Sequence, residues 1–286
     1  MTTKGVGEGR CGTLYVVATP IGNLEDLTPR ALRILREVDL VAAEDTRHSR
    51  KLFNHYGIET PLTSYFQHNE AAKGEKLLDA LLEGRDVALI SDAGTPAISD
   101  PGSLLVQRCH EEGVPVSAIP GPSALIAALS MAGLPTERFA FEGFLPAKTH
   151  ARCQTLRPLR QEQRTTVFYE APHRLAAALR DLRTELGDER QVAVVRELTK
   201  VHEELFRGTA AEACEHFQGK VRGEIVLLIG PAEQSAPEES VRDALRRWRA
   251  ETDLPMREIV KQVAKEHGLS GSEVYKESLA LRDDEE

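Results

Sequence analysis

The sequence has few cysteines, and they are widely scattered. The four cysteines form neither a CxxC pair nor a cluster with histidine; they are Cys11, Cys109, Cys153 and Cys214. This spacing argues against a disulfide framework and against a zinc site, and it is typical of thiols kept reduced in a cytosol. We therefore expect no metal in this protein.

Long apolar runs are also missing. The first ten residues, MTTKGVGEGR, lack the apolar core of a signal peptide, and no run in the chain reaches the length of a membrane span. These absences predict a cytoplasmic protein that does not associate with a membrane.

The sequence has no excess of basic residues. Lysine and arginine total 36 against 45 acidic residues, which gives a net charge of −9. This balance excludes a surface coated in base for indiscriminate nucleic-acid binding, but it permits a local basic groove. Residues 148–164 and 241–250 are rich in arginine, which suggests either a footprint for an RNA backbone or charged helix faces turned to solvent.

The common nucleotide-binding and hydrolase motifs do not occur. There is no GxxxxGK[ST], GxSxG or HExxH, and the first predicted strand is followed by ATPIGNL instead of GxGxxG. A phosphate-loop nucleotidase and a dinucleotide-binding Rossmann domain are therefore poor interpretations.

Apolar strands alternate with helices through the first part of the chain. This pattern predicts an α/β domain with a mostly parallel sheet covered on both faces. After PGPSA at residues 120–124, a natural hinge, the helices are fewer, which predicts a mixed sheet. The predicted regions are a flexible tail at 1–12, α/β domains at 13–120 and 121–232, and, after a polar linker, a helical appendage at 236–286.

One loop combines turn residues with acid and contains no base. SDAGTPAISDPG follows the apolar run VALI, and Asp92 stands where that predicted strand ends. An aspartate there repels phosphate but suits an ammonium, a sulfonium or ribose hydroxyls, while Gly94 would let the backbone approach a ligand. The alternative is a tight turn whose aspartates cap the next helix.

Other polar segments follow predicted strands. ATPIGNLEDLTPR and AEDTRHSR belong to the first domain, and FYEAPHR and RELTKVHEE to the second. The carboxyl ends of parallel strands are where open α/β sheets bind ligands. The alternatives are ordinary turns or a solvated hairpin, and Asn69 in YFQHNE is a possible helix cap.

Seven segments in a fixed order resemble one family. They are LYVVATPIGNLEDLTPRAL, AEDTRHSRKLF, LISDAGTPAISDPG, IPGPSALIAALSMAGLP, FEGFLP, FYEAPHRL and REL-TK-HEE. Together they resemble the bacterial 16S ribosomal RNA cytidine 2′-O-ribose methyltransferases, in the tetrapyrrole-methylase-like class of S-adenosylmethionine (SAM) methyltransferases. The resemblance covers roughly residues 12–230 and, more weakly, the C-terminal helices.

This resemblance implies an α/β fold of two domains with SAM in the cleft between them, usually in a homodimer, acting on 16S ribosomal RNA of the small subunit. By motif matching, the cofactor would contact Pro20, Asp92, Ala93, Gly94, Thr95, Ile98, Ser123, Ala124 and Tyr169. The candidates for catalysis are Glu44, Asp45, Glu170 and Lys200. The candidates for contact with RNA are Arg47, His48, Asn69, His173, Arg174 and Arg196.

The resemblance leaves two alternatives. Tetrapyrrole methylases often have a GxGxG-like first loop and a GDP-like second loop, where this sequence has ATPIGN and GTP. This departure favours RNA over a porphyrinoid, although a tetrapyrrole or precorrin methyltransferase is the first alternative. The second is a SAM-binding, ribosome-associated module without catalytic activity. The identity of any general base is open at this level.

Overall fold

The computed structural model describes residues 11–233 and 239–283, without the side chains of Arg282 and Asp283. The predicted tail and polar linker therefore fall largely outside the described residues. The chain divides into two compact units, residues 1–231 and 232–286. Both sheets belong to the first unit.

The first sheet consists of five parallel strands in the order β3-β2-β4-β1-β5. The strands are β1 (Leu14–Val17), β2 (Leu40–Ala43), β3 (Leu62–Ser64), β4 (Val87–Ile90) and β5 (Val116–Ile119). Its helices are α1 (Pro29–Glu37), α2 (Thr46–Tyr56), α3 (Glu70–Leu82) and α4 (Ser103–Glu111).

Strand β4 shows why this sheet is covered on both faces. All four of its residues are buried and apolar, and successive side chains point to opposite faces of a strand. Ala88 and Ile90 pack in a core with α1 and α2, whereas Val87 and Leu89 pack in a core with α3 and α4. The predicted parallel sheet with two covered faces is confirmed.

The second sheet is mixed, with the order β6-β7-β10-β8-β9. Only β6 and β7 are parallel, and the other neighbours are antiparallel. The strands are β6 (Phe139–Phe144), β7 (Thr165–Glu170), β8 (Gln191–Arg196), β9 (Glu204–Thr209) and β10 (Ile225–Ile229). The helices are α5 (Ala124–Ala132), α6 (Thr149–Leu156), α7 (Leu175–Leu186) and α8 (Ala210–His216).

The two faces of the second sheet have different cores. Helices α6, α7 and α8 pack on one face around Phe168 and Leu227. Helix α5 packs on the other face, where the core also takes in Ile21, which follows the first strand of the other sheet. Apolar contacts therefore connect the two sheets on the α5 side.

The second unit is a cluster of three helices with a core of its own. These helices are α9 (Val241–Glu251), α10 (Met256–His267) and α11 (Gly271–Asp283). Leu245, Ile259, Val263 and Val274 are buried in that core. The predicted helical region is confirmed, and α10 begins after Pro255 and ends before Gly268. The exact domain boundaries stay predictions.

No helix in residues 11–233 and 239–283 combines the length and the apolar character needed to cross a membrane.

Candidate active site

A cleft of about 440 Å³ opens where the two sheets of the first unit meet. This volume lies within the range of roughly 300–1,000 Å³ that is usual for small-molecule sites. The first sheet contributes the ends of β2 and β4, and the second contributes the end of β7 and the start of β10. The carboxyl ends of the parallel strands thus border the cleft, as expected for an open α/β sheet.

The loop after β4 is anchored to the loop after β1. Thr19 and Gly94 exchange two backbone hydrogen bonds of 2.9 and 3.0 Å. Gly94 has a φ of +78°, in the left-handed region that favours glycine. Ala97 and Ser99 also have positive φ, at 66° and 64°, without being glycine. Strained backbone of this kind is concentrated at binding sites, because the surrounding structure must hold it in place.

Three carboxylates gather on the first-sheet side of the cleft: Glu44, Asp92 and Asp100. Asp92 Oδ1 accepts a hydrogen bond from the backbone N–H of Asp45 at 3.1 Å, which ties the end of β4 to the end of β2. Burial raises the pKa of Glu44, and the negative charge of Asp100 adds to this. Burial also raises the pKa of Asp100, with repulsion from Asp92. A cationic ligand would relieve this repulsion.

Glu170 provides an unpartnered acceptor at the end of β7. The residue lines the cleft and is 2% exposed. Its Oε1 accepts hydrogen bonds of 2.7 Å from the backbone N–H of Ala171 and from Arg174 Nε. Its Oε2 is buried and has no hydrogen-bond partner among the described residues. An orphaned buried acceptor carries a desolvation cost, which a ligand that donates a hydrogen bond would offset.

Aromatic and aliphatic side chains form the rest of the wall. Tyr169 makes edge contacts with Phe141 and Phe144, with ring centroids 4.9 and 5.6 Å apart. Burial raises the pKa of Tyr169. Ile98 and Leu198 also line the cleft. The site therefore joins an apolar surface to a concentration of negative charge.

This combination fits the expected cofactor. SAM carries a sulfonium, an ammonium and ribose hydroxyls, which suit carboxylate acceptors, together with an adenine ring that suits apolar walls. The acidic lining would repel a nucleoside triphosphate.

The structure brings most of the predicted cofactor contacts together. Eight of the nine line the cleft, and they are Asp92, Ala93, Gly94, Thr95, Ile98, Ser123, Ala124 and Tyr169. Pro20 is not in the lining, although its neighbour Ile21 is.

Two of the four predicted catalytic residues line the cleft, namely Glu44 and Glu170. The other two lie beside it. Asp45 caps α2, and hydrogen bonds from Arg47 lower the pKa of Asp45 to about 2. Lys200 binds two carboxylates; burial lowers its pKa, but the hydrogen bonds to them outweigh this effect and raise it overall. A lysine held protonated in this way is better suited to binding an anion than to removing a proton.

The predicted RNA contacts do not line the cleft. The Arg47 side chain is 90% exposed and pairs with Asp45 at 2.9 Å, and His48 follows it on the exposed start of α2. His173 is exposed after β7. Asn69 stands at the N-cap position of α3, but its side chain accepts from the Phe66 N–H at 2.8 Å and closes a turn instead of capping the helix.

The two remaining predicted RNA contacts are engaged in ion pairs. Arg174 binds Glu170 and also donates to the Leu145 carbonyl at 2.7 Å. Arg196 pairs with Glu204 across β8 and β9. Through this ion pair Arg174 orients the Glu170 carboxylate in the cleft.

Sequence reasoning missed part of the lining. Asp100 stands within the quoted loop SDAGTPAISDPG, and Phe144 within FEGF, so their motifs could have found them. Residues 223–226 have no such signal. They reach the cleft because β10 lies between β7 and β8 in the sheet. The pairing of β10 with β7 joins residues more than 50 positions apart in the sequence.

The basic stretch at 148–164 is mostly internal ion pairing. Arg152 is only 2% exposed and binds Asp181 at 2.5 Å. Arg157 and Arg160 both contact Glu185, each at 3.2 Å. Acids of α7 thus partly neutralise these arginines, and the interpretation of the stretch as an RNA footprint stays a prediction.

Comparison with known proteins decides the family. The model of the Tetrapyrrole (Corrin/Porphyrin) Methylases matches residues 13–214. The chain belongs to this family. It is 50% identical to the Ribosomal RNA small subunit methyltransferase I of Synechocystis sp., over 96% of this chain and 99% of that protein. It is 49% identical to the protein of the same name from Pseudomonas aeruginosa, over 94% of this chain and 97% of that one.

A solved structure shares the fold of the tetrapyrrole methylases with this chain. Uroporphyrin-III C-methyl transferase from Thermus thermophilus, complexed with S-adenyl homocysteine, has a TM-score of 0.53 and 23% identity. The match covers 77% of this chain and 97% of that one. The fold class predicted from the sequence motifs, the SAM-dependent methyltransferase class and the family resemblance are confirmed.

Proposed function

We propose that this protein transfers a methyl group from SAM to the 2′-hydroxyl of a cytidine ribose in the decoding region of 16S ribosomal RNA. The observation that carries the proposal is the identity of 50% over nearly the full length of both chains with a relative named Ribosomal RNA small subunit methyltransferase I. The acidic and apolar cleft supports the choice of cofactor. The ribose position rests on the sequence motifs.

We assign the binding of the cofactor to the three carboxylates and the apolar wall. SAM supplies a methyl group that is already activated by the sulfonium charge. Glu44, Asp92 and Asp100 concentrate negative charge where a cation would be held. Tyr169 and Phe144 add an apolar part to the lining of the cleft. Alignment of the two reacting groups supplies much of the acceleration.

We assign the proton of the attacking hydroxyl to Glu170. As the ribose oxygen takes the methyl group, whose bond to the sulfonium sulfur would break to leave a neutral thioether, the hydroxyl proton passes to Oε2, which has no partner among the described residues. Arg174 and the Ala171 N–H keep Oε1 occupied and so leave Oε2 for the substrate. Arg174 is thus a positioning residue. A general base contributes about a hundredfold or more.

The finer parts of the proposal follow from the substrate and the family. We propose that the enzyme works as a homodimer in the bacterial cytoplasm on RNA of the small ribosomal subunit.

The experiment incubates the protein with methyl-labelled SAM and either small ribosomal subunits or naked 16S RNA, and then maps the label. We expect label on one cytidine ribose. The Glu170→Gln variant should lose about a hundredfold or more in kcat, while SAM affinity changes little. Glu189→Gln is the matched control, because it removes an exposed carboxylate at the opposite end of β8.

Three outcomes would contradict the proposal. Label on a base would exclude ribose methylation. SAM binding without transfer to either RNA would favour a binding module, and methylation of a tetrapyrrole instead of RNA would favour the other branch of the family. Full turnover by Glu170→Gln would remove Glu170 from the mechanism.

A further inference from the structure

A second depression lies beside the cleft at the same end of the mixed sheet. It has a volume of about 430 Å³. Five basic side chains line it, and we call it the basic depression: Arg196, His202, His216, Lys220 and Arg222. Arg196 ends β8 and His216 ends α8. His202 follows β8, and Lys220 and Arg222 follow α8.

The acids in the basic depression are already engaged. Glu204 binds Arg196 and also His216, whose Nε2 lies 2.8 Å from its Oε1. Glu197 accepts from Lys200 Nζ at 2.8 Å. Throughout residues 11–233 and 239–283, no carboxylate partners the side chains of Lys220 and Arg222. The depression therefore presents positive charge that the protein itself does not neutralise.

The depression and the cleft share a wall. Glu197 and Arg222 line the depression, while the residues that follow them, Leu198 and Gly223, line the cleft. Lys200 Nζ joins the two sides, since it lies 2.8 Å from Glu197 and 2.9 Å from Glu224 of the cleft. The cleft and the depression are therefore neighbours that share this wall.

This wall contains strained backbone that the surrounding structure holds in place. Glu197 and Thr199 have positive φ, at 52° and 65°. Gly223 allows the Glu197 side chain to pack against it, because a Cβ at Gly223 would lie 2.3 Å from that side chain. Non-glycine residues persist in this conformation only where the surrounding structure forces it, and such positions cluster at ligand sites.

The arginine-rich helices differ from the basic depression because acids neutralise many of their arginines. Arg152, Arg157 and Arg160 bind acids of α7. In the second unit, Arg246 binds Asp243 and Arg247 binds Glu239 and Glu266. A cation must release its acidic partner before it can bind phosphate, whereas Lys220 and Arg222 have no acidic partner in the part of the chain that the structure describes.

We propose that the basic depression binds a phosphodiester of the substrate RNA, next to the nucleotide whose ribose enters the cleft. Arg222 and Lys220 provide the charge, and His202 provides a further donor at the rim. The site is a backbone contact that fixes the position of the RNA without reading its sequence. It rests on the proposed function, because it takes RNA to be the polymer in the cleft.

The test measures steady-state methyl transfer to small ribosomal subunits, and subunit binding at several salt concentrations, for Arg222→Ala, Arg222→Lys and Lys220→Ala. Arg138→Ala is the matched control, because it removes an exposed arginine at the opposite end of the mixed sheet. We expect Arg222→Ala to raise the KM for RNA about tenfold and to lower the slope of log K against log salt by about 1. SAM affinity and kcat should change less than about twofold.

The conservative variant separates charge from structure. Arg222→Lys should retain the salt slope, because it retains the positive charge. Equal KM values and salt slopes for Arg222→Ala and Arg138→Ala would overturn the inference, as would a loss of SAM affinity with unchanged RNA binding. If the wild type binds subunits but transfers no methyl group, the proposed reaction is wrong. The salt slopes of the variants still test whether the basic depression binds RNA phosphate.

Discussion

Asp100 and Glu44 face Asp92 across a small part of the cleft, and this crowding sets how the site responds to pH. Burial and mutual repulsion raise the pKa of Glu44 and of Asp100 above the ordinary values of 4.5 and 3.8. Between those values and the raised ones, the folded protein binds more protons than the unfolded chain. The two groups therefore make the cofactor-free protein less stable as pH rises through this window.

The affinity for a cationic ligand should change with pH in the opposite direction to the stability of the cofactor-free protein. As Glu44 and Asp100 ionise, SAM affinity should rise with pH through the window between their ordinary and raised pKa values. We expect Asp100→Asn to flatten this rise, to weaken SAM binding up to about fivefold at neutral pH, and to stabilise the cofactor-free protein. Titration calorimetry and thermal unfolding across this range measure both effects.

Glu59→Gln serves as the control, because Glu59 is exposed and does not line the cleft. It should leave the pH dependence of SAM affinity unchanged. If Asp100→Asn showed the wild-type pH dependence, the carboxylate cluster would not be the cation-binding part of the cleft.

At the scale of elements, the loop between β4 and α4 depends on one glycine. Gly102 has a φ of +136°, and a Cβ there would lie 2.6 Å from Leu89 Cδ2 in β4. Its N–H donates to Glu70 Oε1 at 2.8 Å, which joins the loop to α3. The conformation of the loop and its distance from the sheet both require glycine.

Gly102→Ala should lower the free energy of unfolding by about 1–3 kcal/mol and should weaken SAM binding, since the loop carries Asp92 through Asp100. Gly74→Ala is the control, because Gly74 lies within α3 and a Cβ there would meet its nearest neighbour at 4.0 Å. Denaturant unfolding and SAM titration test this. Equal stability of the two variants would show that the loop can relax.

Most elements could be predicted from the sequence because their signals are local. Thr28 caps α1 with Pro29 at its first position, and Gly57 ends α2 in the left-handed conformation, both as the sequence indicates. The shortest elements carry weaker local signals. Strand β3 has only three residues. Helix α8 has seven residues, although its capping box of Thr209 and Glu212 was a readable signal.

At the scale of the whole molecule, every residue that lines the cleft belongs to the first unit. A chain that ends at Pro231 should therefore bind SAM within about twofold of the full-length affinity. The second unit has its own core, and the core clusters of both sheets consist of residues of the first unit. Titration of SAM into the truncated protein measures this, with circular dichroism to confirm that it is folded.

RNA binding by the same truncated chain shows whether the C-terminal helices contact RNA. An unchanged salt slope would assign the phosphate contacts to the first unit. A loss of SAM binding in a folded truncated chain would mean that residues beyond 231 support the cleft.

The sequence by itself determined the α/β class, the family and most of the residues that we propose contact the cofactor, because these depend on contiguous motifs at strand ends. Only the tertiary structure decided which charges are available. It paired Arg152 with Asp181 and Arg174 with the buried Glu170. It left Glu170 Oε2 without a partner among the described residues, and it placed Lys220 and Arg222 next to the cleft. The physical reason is that a charge is neutralised by its neighbours in space, and strand pairing over long sequence separations chooses those neighbours.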